Sequence, residues 1–155
     1  MSLHNDLIEQ AEHLAKRELK KPRQASLRRA VSTAYYAPFH MLTDDAVLKV
    51  IPNTPDGLRV QAQRAFTHGE MRNACEQLTK SSNIFARLLV AEAFVELQIY
   101  RHRADYELTQ VFDRIKVLGI IARANSAISA WNRVRNTPNA NVFLTALLIN
   151  SRWNR

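Results

Sequence analysis

The sequence predicts an all-α fold of about five to six helices in a single domain, residues 1–155. Three observations predict it. Glycine is scarce, three residues in 155, and helix-forming residues dominate. Apolar residues recur at i, i+3, i+4 and i+7, the period of one helix face. Strict apolar/polar alternation, the mark of a half-buried strand, is nowhere sustained. A chain of this length buries roughly 70% of its unfolded surface, enough for one core.

The first helix is expected from about Ser2 to Leu19, with Ser2 as its cap. Asp6 and Glu9 suit its positive end, and Lys16, Arg17 and Lys20 its negative end. Leu3, Leu7, Ala11, Leu14 and Ala15 form the apolar stripe, and Lys20-Lys21-Pro22-Arg23 is a turn. The second helix spans about Gln24 to Ile51, with Leu27, Val31, Ala34, Pro38, Met41 and Leu42 on its inner face. Opposite them Arg29, Thr33, Tyr36 and His40 make a polar-aromatic stripe, and Pro38 should kink the helix and free the Ala34 carbonyl. Pro52 to Gly57 is a loop, and Thr54-Pro55 reads as a cap and first helical residue.

A short third helix follows to about Thr67, His68-Gly69 reads as a stop, and Glu70 to Lys80 continues as a further or loosely joined helix. Ser81-Ser82-Asn83 is the expected cap of a long helix from Ile84 to about Tyr106. The next runs from about Gln110 to Arg135 and is apolar on much of its circumference, as for a central position. Gly119 interrupts it at a cost of about 1 kcal/mol unless a neighbour packs closely there. Thr137-Pro138 opens a last helix, Asn139 to about Ser151.

The formal net charge is +8 and unevenly placed. Lys16 to Arg29 holds seven basic residues against one Glu, and Arg114 to Arg155 holds seven with no acid. Such blocks favour a polyanionic partner, nucleic acid ahead of membrane. The alternative is a solvated basic surface. No membrane partner is expected, because the longest uncharged stretch, Asn136 to Ser151, carries Pro138 and four asparagines. The lone Cys75 excludes an internal disulfide and reads as a small core residue. No secretory h-region is visible near the N-terminus, so a cytoplasmic location is expected. Neither a zinc spacing nor a glycine-rich phosphate loop occurs, so no metal and no cofactor are expected.

What remains is metal-independent acid/base or binding chemistry, and its candidates concentrate in LQIYRHRADY, Leu97 to Tyr106. Gln98, Arg101, His102 and Asp105 fall on one helix face, with Tyr106 beside it. Such a cluster either locks a polar network or builds a site. In the first case Arg101 and Asp105 form an intrahelical ion pair, and His102 and Tyr106 pack on His40 or Tyr36. Tyr35, Phe39, Trp131 and Trp153 read first as packing residues.

RRAVSTAYYAPFH (Arg28 to His40), followed by RHRADY (Arg101 to Tyr106), resembles the HEPN domain superfamily, in its small prokaryotic branch with AYYAxFH and RxxADY segments. Trp131, FLTALL (Phe143 to Leu148) and Arg152-Trp153 extend the likeness over nearly the whole chain. The resemblance implies an up-and-down helical bundle that forms a homodimer with a cleft at its interface. Many members are metal-independent ribonucleases of toxin–antitoxin, abortive-infection or CRISPR systems, with Arg, four to six residues, then His. There His moves a proton and Arg stabilises charge on the scissile phosphate. No histidine here has an Arg at that spacing; Arg101-x4-Tyr106 puts a phenol in its place, and Pro38 replaces the usual apolar residue.

The residues themselves leave Arg101, His102 and Tyr106 as the catalytic candidates. Arg29, Tyr36, His40, Gln98, Arg103 and Asp105 are then expected to contact RNA or a nucleotide-like ligand. An antitoxin or nucleotidyltransferase is the implied protein partner. A second function class stands beside this one: a non-catalytic interaction or scaffold module, in which the polar cluster only fixes helix register.

Overall fold

The computed structural model describes the backbone of residues 2–81 and 85–153 and the side chains of 2–80 and 89–149. Among these the chain is all helical, with seven helices and no strand: α1 (Leu3–Lys16), α2 (Gln24–Val50), α3 (Asp56–Arg64), α4 (His68–Ser81), α5 (Phe85–Tyr106), α6 (Arg114–Val134) and α7 (Pro138–Trp153). The count exceeds the five to six expected because the segment after the Pro52 loop divides into two helices. Thr67 Oγ accepts from the Glu70 amide (3.2 Å) and donates to the Glu70 carboxylate (3.0 Å). Thr67 is thus the N-cap, and its hydroxyl is held by the Glu70 side chain, so His68-Gly69 opens α4 instead of stopping a helix.

Other ends follow their own chemistry. Asp113 accepts from the Lys116 amide at 2.8 Å and starts α6 four residues later than the apolar pattern suggested. Thr137 caps α7 through the Ala140 amide. Ser2 stands at the N-cap of α1, but its hydroxyl contacts His4 Nε2 (3.1 Å) and makes no cap bond. The expected cap at Ser82-Asn83 lies outside the described residues, as do the side chains of Arg152 and Trp153.

α2 is the spine of the molecule and touches α1, α3, α5, α6 and α7. Its inner face, Leu27, Val31, Ala34, Pro38, Met41 and Leu42, is buried as the spacing predicts, and the helix continues unbroken through Pro38. α6 shares the centre, packing on α1, α2 and α5 with Val117, Ile121, Ala124, Ile128 and Trp131 buried. α7 packs chiefly on α4 and α2, and its Phe143 ring reaches Trp131 at 5.4 Å. Cys75 is fully buried, and burial pushes its thiol pKa up. None of the helices is long and apolar enough to cross a membrane, among the described residues.

Polar side chains lock one end of this bundle. Arg114 donates to the Ala15 carbonyl (3.1 Å) and to that of Glu18, covering the end of α1. Gln24 pairs both ways with the Phe112 backbone, donating to its carbonyl (2.7 Å) and accepting from its amide (3.0 Å). Arg28 donates to the carbonyls of Arg103, Ala104, Glu107, Leu108 and Gln110. The guanidinium thereby takes up orphan carbonyls at the end of α5 and fixes the loop to α6. This brace sets where the last turn of α5 stands against α2.

Candidate functional site

The α2 stripe and the α5 cluster meet along the seam between the two helices. Arg101 is the junction. Its Nη2 donates to the Tyr36 hydroxyl at 3.2 Å, and its guanidinium lies 5.8, 5.7 and 5.7 Å from the rings of Tyr35, Tyr36 and Tyr106. Asp105 sits 2.9 Å from Arg101 Nε as an ion pair. The Nε–H is not aligned on the carboxylate, so the contact is one of charge and not a directed hydrogen bond. Ser32 of α2 donates to the same carboxylate at 3.4 Å. The intrahelical pair expected from the i, i+4 spacing is present, and it has a cross-helix partner.

Behind Tyr36 lies an aromatic box that α4 completes. The Tyr35 hydroxyl and His68 Nδ1 share a 2.7 Å hydrogen bond, and the His68 ring packs on Phe39 with centroids 4.4 Å apart. His40 stacks on Tyr36 at 5.9 Å. Gln98 is buried and donates to the His68 carbonyl at 3.0 Å, leaving its own Oε1 unpaired. Burial lowers the pKa of both imidazoles, and for His68 the nearby charge of Arg101 adds to it. Both rings are therefore neutral near pH 7. The Tyr35 phenol is pushed up by burial and stays protonated.

In front of the seam is a shallow cleft of about 430 Å³ lined by Ala25, Arg28, Arg29, Ser32, Tyr36, Ala104, Asp105 and Tyr106. Arg29 is exposed there with no partner among the described residues, and Tyr106 is 62% exposed. A second cavity of about 390 Å³ lies beyond His40, between His4, Asp44, Asp45, Gln63 and Arg135. Its carboxylates are already engaged. Asp44 accepts from Arg59 and Gln63, and Asp45 from Trp131 and Arg135.

The sequence-derived candidates thus divide. Arg101, Tyr36, Asp105 and Tyr106 come together, Arg29 joins them across the cleft, and His40 and Gln98 stand behind. His102 does not join: it is exposed and lies against the Tyr106 ring, centroids 5.0 Å apart. Arg103 turns to the other side of α5, over Tyr100 at 5.9 Å. Tyr35, Phe39 and Trp131 are packing residues, as expected.

Sequence reasoning missed His68, whose Thr67-x-x-Glu70 cap was the available signal, and Arg28, whose bracing role depends on a loop no periodicity describes. Among the described residues no group of three or more His, Cys, Asp or Glu is placed to hold a metal ion. Comparison with family models, curated proteins and solved structures finds no match to this chain.

Proposed function

We propose that this is a HEPN-like protein that binds RNA or a nucleotide-like ligand in the α2–α5 cleft, and that it acts as a homodimer with two clefts facing one another. The observation that carries the proposal is the pairing of an uncommitted cation, Arg29, with an exposed aromatic ring, Tyr106, across one open cleft. A phosphate is met by the guanidinium and a base by the ring face. Arg101 holds Tyr36 and Tyr106 in place. Its charge is matched by Asp105, so it serves the cleft as a positioning group.

The same geometry favours binding over cleavage. Among the described residues none of those lining the cleft is a histidine, and the neutral His40 and His68 lie on the far side of Tyr36. A general base must reach the proton it removes, directly or through one water. A metal-independent ribonuclease would need the partner copy or a ligand-driven movement of Tyr36. The charge-matched Arg101–Asp105 pair also suits the second reading, a scaffold partner of an antitoxin or nucleotidyltransferase in a defence or toxin–antitoxin pair.

Fluorescence anisotropy with a labelled single-stranded RNA, in EDTA, tests the proposal. Loss of Tyr106 stacking in Tyr106→Ala should weaken binding roughly tenfold. Arg29→Ala should weaken it and reduce the salt slope by about one. The same RNA, run on a gel after incubation with wild type, Arg101→Ala and His102→Ala, reads cleavage. Binding indifferent to both cleft substitutions rejects the cleft; no binding at any concentration leaves the scaffold reading.

A further inference from the structure

The braced end of the bundle exposes four aliphatic side chains to an unusual degree: Leu19 (94%), Leu108 (87%), Val111 (71%) and Ile115 (85%). They come from two connections that the fold ties together. Arg114, next to Ile115, holds the carbonyls of Ala15 and Glu18 beside Leu19. Gln24 holds Phe112 beside Val111, and Arg28 holds the Leu108 carbonyl itself. The side chains therefore project from a rigid pole and not from loose loops. Lys16, Arg17, Lys20, Lys21 and Arg23, all exposed, share the first connection with Leu19, while the second carries two exposed acids, Glu107 and Asp113, the latter engaged as the α6 cap. The one acid of the first connection, Glu18, is occupied by the Ser26 hydroxyl and the Arg23 amide, which lower its pKa, the hydroxyl contributing most.

We propose that this pole is a membrane-surface contact, inserting its aliphatic side chains among the headgroups of an anionic bilayer. Charge complementarity selects the occupant. A second copy docked through the same face would bring two sets of five cations together. RNA would match the cations but leave aliphatic side chains, which offer no ring to stack on, in water. A helix from an acidic protein needs a groove, and side chains exposed to this degree line none. Projecting aliphatics beside a run of five exposed Lys and Arg fit the lipid interface, where the apolar groups leave water and the cations meet phosphate and serine headgroups. The sequence led to no membrane partner because it held no spanning segment. A peripheral contact needs only this local surface.

Co-sedimentation with vesicles tests the proposal on the full chain. One set is phosphatidylcholine alone; in the other about a third of the lipid is phosphatidylserine. Wild type should pellet with the anionic set only. Leu108→Gln/Ile115→Gln should lose roughly tenfold or more in affinity with charge unchanged. Lys20→Gln/Lys21→Gln should lose roughly fivefold per cation. All four positions are exposed, and an unchanged circular dichroism melt confirms that the variants fold. Failure to pellet with anionic vesicles overturns the proposal, as does pelleting indifferent to the aliphatic pair, which would mark a purely electrostatic surface. A wild-type dimer that this aliphatic substitution turns monomeric in analytical ultracentrifugation also overturns it, assigning the pole to a second copy.

Discussion

Asp45 is the residue whose removal the structure makes easiest to cost. Its carboxylate is 10% exposed and joins α2 to α6 twice, accepting from Trp131 Nε1 at 2.6 Å and from the Arg135 guanidinium. Trp131 is fully buried, so Asp45→Ala removes the acceptor of its indole N–H. An unsatisfied buried donor costs about 1–3 kcal/mol. The lost pairing with Arg135, which is 38% exposed and therefore screened, adds about 0.5–1 kcal/mol. The sum is about 3 kcal/mol, a fall in Tm of roughly 6–12 °C for a domain of this size.

Asp45→Asn separates the two contributions. It keeps an acceptor for the indole and loses only the charge, so about 1 kcal/mol is expected. Urea titrations with an unchanged m-value give all three stabilities on one scale. If Asp45→Ala costs under about 1 kcal/mol, or Asn costs as much as Ala, the buried indole is not what Asp45 serves.

Other substitutions follow from the same structure. Gly119 is exposed within α6, an added Cβ meets nothing within 4 Å, and its φ is not positive, so Gly119→Ala should stabilise by about 0.5–1 kcal/mol in the same titration. Arg28→Ala removes a donor shared by five carbonyls between Arg103 and Gln110, so amides of residues 103–110 should lose hydrogen-exchange protection before the rest of the bundle does. His40 and His68 have pKa values lowered by burial from 6.5, so the unfolded chain binds more protons than the native one below that pH. Their contribution is fully present above 6.5 and is lost as pH falls towards the folded values; urea midpoints from pH 7.5 downwards should drop, and His68→Asn should flatten that drop.

The helices were legible where one face is apolar over many turns. α2 begins at Gln24 and ends one residue short of the expected Ile51, because its inner face keeps register for its whole length and Pro22 and Pro52 bracket it. Short polar segments carried less. Nothing apolar is buried on α3, so its limits depend on local caps, and the Thr67 cap was hidden behind a His-Gly pair that also reads as a terminator. The bracing by Arg28, Gln24 and Arg114 was illegible for a different reason. Those side chains bond to carbonyls and amides, and backbone groups leave no residue-specific trace in a sequence.

The site shows the same division. Two helical periods put the α2 stripe and the α5 cluster each on one face; that the faces meet is seen in the contact of Tyr36 with Arg101. Which members of the α5 cluster would meet α2 did not follow. Gln98, Arg101, His102 and Asp105 span an arc of about 100°, with Arg101 and His102 at its opposite edges. Only one edge can turn inward against α2, and a guanidinium that finds two tyrosine rings, a phenol oxygen and a carboxylate there is better satisfied than an imidazole would be. Arg101 goes in and His102 goes out. That choice places the acid/base group on solvent, against the outer wall that Tyr106 makes, and the fixed charge in the seam, so the cleft gains two positioned rings while no histidine lines it among the described residues.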